Sequence, residues 1–267
     1  HVEIMERWQM LSAAYRLASA PESNRPYGSR ERQRYDFFAA GGGAAPVVVY
    51  VHGGYWQRGD RKDFSFVARE LNAAGITVAI PSYSLCPAAS VMEIIDEIGL
   101  CLAALWKKTR KHPLVIGHSA GGHLAASMVA NDWSRVAGVP ADLVRAGYAL
   151  SGVYDLAPLI GTSLNEALHL SNGTARASSP LFRPAPPKGR RFVAAVGGDE
   201  SAEFLRQSRE IAQAWERAGV IAENVVVPGT NHFTILDELT RADSPVLAGI
   251  VALAREADGG GAGNDRD

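Results

Sequence analysis

The run Val47-Val48-Val49-Tyr50-Val51 offers no polar residue to either side of a pleated strand. A strand of that kind is buried on both faces, so helices must cover the sheet from above and below. Comparable short apolar runs recur at 76–80 (ITVAI), 114–119 (LVIGHS), about 145–150, 191–197 (RFVAAVG) and 223–228 (ENVVVP). Between them lie amphipathic segments at 63–74, 90–111, 120–130 and 201–218, with Gly75 and Gly219 as C-terminal stops and a Ser90/Glu93 capping box. This alternation predicts an α/β fold with a mainly parallel central sheet flanked by helices on both faces. A helix over 3–18 and a short strand over 33–38 precede it, and helices near 233–241 and 245–256 close it. Residues 155–189 carry Pro158, Pro180, Pro184, Pro186 and Pro187 and read as short helices and loop over one end of the sheet, above the active site. No linker interrupts the pattern, so 1–256 is expected to be a single domain and the Gly-rich 257–267 a disordered tail.

Composition narrows the function classes. The formal net charge is −1 over 267 residues, which gives no electrostatic footprint for nucleic acid or an anionic membrane. The arginines between Arg25 and Arg34 read as a solvated loop rim. Cys86 and Cys101 have no metal or redox spacing, no run of about 18 apolar residues exists, and the first ten residues lack a secretory pattern. A cytoplasmic protein without metal or cofactor is expected, with neither nucleic acid nor a membrane as partner. His118 and His123 do not form an H-E-x-x-H site. A homodimer is possible on these grounds and nothing in the sequence tests it.

Gly117-His118-Ser119-Ala120-Gly121 follows the strand LVI and opens a helix of small residues. That strand–turn–helix context makes G-x-S-x-G a nucleophile elbow, with Ser119 forced out of a tight turn. The loop His52-Gly53-Gly54-Tyr55-Trp56 follows VVVYV. Its backbone N–H groups at Gly53, Gly54 and Tyr55, with that of Ala120, are the candidate oxyanion donors. His52 reads as a structural residue of that loop. In a serine hydrolase of this order the acid follows a late strand and the base follows the last one. Gly197-Gly198-Asp199-Glu200 supplies Asp199, with Glu200 and Glu203 as runners-up and Asp155 as a more distant choice whose other role is an N-cap to the next short helix. Asn231-His232-Phe233 supplies His232 as base. Tyr55, Trp56, Tyr154 and Phe233 are candidate walls of an aromatic substrate pocket, against the alternative of ordinary core packing. Ser151 and Asn165 are weaker candidates for polar contacts.

HGGYW at 52–56, GHSAGGHL at 117–124, LSGVYDL at 150–156, GGDESAEFLRQSREIAQAW at 197–215 and NHF at 231–233 together resemble the kynurenine formamidase (arylformamidase) branch of the α/β hydrolases. The resemblance spans about residues 30–240. It implies the α/β-hydrolase fold and a Ser119, Asp199, His232 triad without cofactor. The implied reaction is hydrolysis of the N-formyl group of N-formylkynurenine. Similar chains act as carboxylesterases, so an esterase or thioesterase for short acyl groups is the alternative.

Overall fold

A computed structural model describes residues 2–259. Helix α1 (Val2–Ser19) precedes β1 (Glu22–Pro26), β2 (Arg34–Phe38) and β3 (Val47–Val51). A 3₁₀ stretch over Arg61–Val67 runs into α2 (Ala68–Ala73), followed by β4 (Thr77–Pro81), α3 (Val91–Thr109), β5 (Leu114–His118), α4 (Ala120–Val129) and β6 (Ala146–Leu150). Two short helices, α5 (Asn165–Leu168) and α6 (Asn172–Ser178), lead to β7 (Arg191–Gly197), α7 (Ala202–Arg217) and β8 (Ile221–Val227). A 3₁₀ stretch over Thr234–Thr240 and helix α8 (Pro245–Gly259) follow.

The eight strands form one sheet in the order β1-β2-β4-β3-β5-β6-β7-β8. From β4 to β8 all pairings are parallel, and β1 and β2 join antiparallel at one edge. The period of two sorts the core into two layers. Val47, Val49 and Val51 pack with Ile94 and Leu102 of α3, Leu124 of α4 and Trp215 of α7. Val48 and Tyr50 point the other way, to Trp8 of α1, Leu71 of α2 and Ile250 of α8. Each buried valine of β3 contributes roughly 1.5–3 kcal/mol, which explains why this strand tolerates no polar residue.

The Ser90/Glu93 capping box forms as read, with each side chain bonded to the other residue's N–H. Several boundaries differ from expectation. The helix expected over 63–74 is 3₁₀ in its first half, which opens on an Asp60/Asp63 capping box. The segment near 233–241 is also 3₁₀. Strand β1 was invisible in sequence because Glu-Ser-Asn-Arg-Pro has no apolar face and is exposed throughout. It is held by the wholly buried Asp36 of β2, whose carboxylate accepts from the Asn24 N–H, Arg16 and Arg61. Of the expected tail, residues 257–259 continue α8, since Ala257 is buried against the core; the remainder lies outside the described residues. No helix among the described residues is long and apolar enough to cross a membrane.

Candidate active site

Parallel strands bring their C-terminal ends to one edge of the sheet, and the loops leaving β3, β5, β7 and β8 meet there. Ser119 stands between β5 and α4 with φ 57° and ψ −118°. A non-glycine residue in that region costs about 1–3 kcal/mol, which its surroundings must supply. They do so by close backbone packing. A Cβ on Gly117 would lie 2.2 Å from the Gly121 carbonyl oxygen, and one on Gly121 would lie 1.9 Å from that of Val51. Only glycines let α4 start so near β3. The Ser119 N–H is tied to the Leu150 carbonyl at 2.9 Å.

The Ser119 hydroxyl lies 3.1 Å from His232 Nε2, and His232 Nδ1 lies 2.8 Å from Glu200 Oε2. A carboxylate can only accept, so the Nδ1–H donates to Glu200 and Nε2 is left as acceptor for the serine proton. Glu200, and not the expected Asp199, is therefore the carboxylate that meets His232. The turn explains the correction. The Glu200 N–H donates to the Gly197 carbonyl at 3.2 Å, closing a four-residue reversal after β7. The fourth side chain swings back under the sheet edge and the third faces out. Asp199 is exposed, its N–H bonded to the Thr230 carbonyl, and its carboxylate has no partner among the described residues. The Glu200 side chain is 1% exposed. Its Oε1 accepts from the Gly197 N–H at 2.8 Å and from the Ser151 hydroxyl. Ser151, at φ 53°, thus orients the acid. Glu203 is bonded to Arg206 and Gln207; Asp155 accepts from the Ala157 N–H, but the N-cap position of the 3₁₀ turn Ala157–Leu159 is Leu156, one residue on.

Asn231 shapes the turn that carries the base, its Oδ1 accepting from the N–H groups of Phe233 and Thr234. His118 Nε2 donates to the His232 carbonyl at 2.6 Å. Burial, then the neighbouring His232 charge, push His118 down to about 3, so it stays neutral beside the base. In the β3 loop, His52 bonds the Gly53 carbonyl through Nδ1 and stacks between Phe64 and Tyr83. Burial lowers it to about 4, in keeping with a structural residue. Gly53 presses on the nucleophile, where a Cβ would lie 3.1 Å from that of Ser119. The N–H groups of Gly53, Gly54, Tyr55 and Ala120 have no acceptor among the described residues. Gly53, Gly54 and Tyr55 line the same cavity as Ser119, and Ala120 follows it in the chain, so these uncommitted donors are near the nucleophile candidate.

A cavity of about 340 Å³ opens beside Ser119 and His232. Gly53, Gly54 and Tyr55 line one side, Phe64, Phe233 and His118 another, and Met5, Trp8 and Gln9 of α1 close the wall. A larger concavity of about 1110 Å³, near Asn131, Arg190 and Leu253, shares no lining residue with it.

The kynurenine formamidase of Salmo salar is 30% identical over 229 residues, covering 82% of this chain and 77% of that protein. That of Danio rerio is 30% identical, covering 80% and 75%. The chain belongs to the kynurenine formamidase family of α/β hydrolases. The BD-FAE family model matches residues 38–137, which include the HGGYW loop and the elbow. A solved structure of a candidate thioesterase from Silicibacter sp. TM1040 superposes with a TM-score of 0.86 at 30% identity, covering 94% of this chain and 93% of that one. The chain is thus a hydrolase of the α/β-hydrolase type.

Within this formamidase-family fold, two of the four expected aromatic wall residues are elsewhere. Tyr55 and Phe233 line the cavity. Trp56 and Tyr154 are wholly buried in the core instead. Trp56, at φ 57°, packs edge-on against His123. Tyr154 packs against Phe192, and its N–H is held by Gln207 of α7. Asn165 bonds the carbonyls of Ile160 and Leu170 and shapes a turn. The 155–189 segment covers the α3/α4 face and supplies no lining residue to the cavity. Helix α1 takes that place. Sequence reading missed Trp8, whose ring packs against Phe64, Phe66, His118 and Phe233. Its one local signal was the buried stripe of Trp8 and Ser12 on α1, which says nothing about what it faces.

Proposed function

We propose that this chain is a serine hydrolase of aryl formamides of the N-formylkynurenine class, working through a Ser119–His232–Glu200 triad. The observation that carries the reading is the continuous hydrogen-bond relay from Ser119 through His232 to the buried Glu200, opening on an aromatic-walled cavity. His232 Nε2 takes the Ser119 proton as Oγ attacks the formyl carbon. The oxyanion is received by the N–H groups of the Gly53–Tyr55 loop and of Ala120. The imidazolium, held by Glu200, then protonates the leaving arylamine nitrogen as the C–N bond breaks. Water, deprotonated by His232, attacks the formyl-enzyme and releases formate. The kynurenine formamidases of Salmo salar and Danio rerio support the formamide substrate.

A second reading, cleavage of short acyl esters or thioesters, uses the same relay and is favoured by the likeness to the candidate thioesterase. Purified protein with N-formylkynurenine, followed by kynurenine absorbance, separates the two. We expect kcat/KM of about 10⁴ M⁻¹s⁻¹ or more, and a loss of at least about 10³-fold in Ser119→Ala with the fold intact. Slow formamide turnover beside brisk p-nitrophenyl ester cleavage would transfer the assignment to esters. An active Ser119→Ala protein would remove the triad altogether.

A further inference from the structure

The charged and polar side chains of the cavity wall are nearly all committed within the protein. Asp63 accepts from the Asp60 N–H at 3.1 Å and from Gln9 at 3.2 Å. His118 and His232 are bonded as described above. Arg58 is different. Its N–H is held by the Gly54 carbonyl at 3.2 Å, yet its guanidinium has no partner among the described residues. Its neighbours in the same region are occupied. Arg61 bonds Asp36, Asn24 and Ser82, and Arg32 bonds the carbonyls of Gly59 and Tyr83.

Arg58 is an exposed residue whose stem starts beside the loop that supplies the candidate oxyanion donors, since a Cβ on Gly54 would lie 3.0 Å from Arg58 Cγ. An aromatic-walled cavity with one uncommitted cation on its wall binds apolar bodies and selects among them by charge. Guanidinium presents a planar fork that matches a carboxylate with two parallel hydrogen bonds. No lysine and no other arginine lines this cavity among the described residues, so a singly charged carboxylate is matched and a phosphate dianion is left half-neutralised.

We propose that Arg58 is a specificity-determining residue that pairs with a carboxylate carried on the arylamine portion of the substrate, away from the scissile formyl group. This rests on the formamidase reading above, and its test separates from it. The ligand pair is 4-(2-formamidophenyl)-4-oxobutanoate and its primary amide, which differ only in the charge of the arm. Binding is measured by calorimetry to the Ser119→Ala protein, where no turnover occurs. The carboxylate should bind about tenfold tighter than the amide, and Arg58→Gln should bring that ratio to about one, with Arg58→Lys in between. In the active enzyme, Arg58→Gln should raise KM for the carboxylate about tenfold with kcat changed far less, the pattern of lost uniform binding. A charge preference that survives Arg58→Gln, equal binding of both ligands to the Arg58-bearing protein, or no binding of either would overturn the proposal. Charge-selective binding without formamide turnover in the Ser119-bearing enzyme would retire the formamidase reading and leave the anchor standing.

Discussion

The elbow around Ser119 and the turn around Glu200 leave β5 and β7 at the same edge of the sheet, yet they are specified in different ways. The elbow is over-determined by its own backbone. Gly117 and Gly121 admit contacts that any side chain would block, and strand, serine and helix are consecutive in the chain. The acid turn is specified by one reversal and one side-chain length. Glu200 reaches His232 because Gly197–Glu200 closes a turn, and Ser151 from a different strand connection holds the far oxygen. A site written into contiguous backbone can be read by pattern, whereas a site made by a turn's phase cannot.

The largest test of this contrast exchanges the two acidic neighbours. Glu200→Gln keeps the shape and removes the charge that stabilises the imidazolium, so kcat should fall about 10³-fold. Asp199→Asn, on the exposed side of the same turn, should change kcat less than about twofold. Comparable losses in both variants would mean that the turn rearranges in solution.

The elbow makes a prediction of its own in stability. His123 of α4 is wholly buried, its Nε2 bonded to the Ser178 carbonyl, and burial lowers it from 6.5 to about 4. Its folded value is below its unfolded one. Between those values the unfolded chain binds a proton that the folded chain does not, and stability falls as the medium is acidified. The loss should begin near pH 6.5 and continue toward pH 4, reaching on the order of 3 kcal/mol for this residue. Denaturant titrations at pH 7 and pH 5 check it, because pH 5 is above the usual range of the unfolded carboxylates. The drop between those two conditions should shrink in His123→Gln. An unchanged drop would place the acid sensitivity elsewhere.

A smaller effect is expected at Ser151. Its hydroxyl touches Glu200 and not the cavity, so Ser151→Ala should lower kcat about tenfold, leave KM nearly unchanged and shift the acidic limb of the kcat profile. Loss of folding without a change in the profile of the surviving enzyme would make its role structural.

Much of this molecule was legible from residues alone, for reasons that are local. Short apolar runs marked the six parallel strands β3 to β8, and Ser90/Glu93 marked the start of α3. The elbow and the Asn231-His232-Phe233 turn are legible because short motifs in the right strand context leave little conformational choice. The acid was placed one residue away, since β-periodicity ends at Gly197 and nothing local reports the direction of the next three side chains. Trp56 and Tyr154 were taken for cavity walls because sequence proximity to the HGGYW loop and β6 does not say which side of the backbone they occupy.

The sequence by itself determined the layered α/β architecture and the placing of Ser119 and His232 in loops at the ends of its strands, because burial on both faces and tight glycine turns act over a few consecutive residues. Tertiary structure alone decided that Glu200 meets His232, that Trp8 of α1 walls the cavity and that Arg58 lines it with no hydrogen-bond or ion-pair partner among the described residues. Those facts depend on where segments far apart in the chain come to lie, and no spacing or periodicity within one segment carries that information.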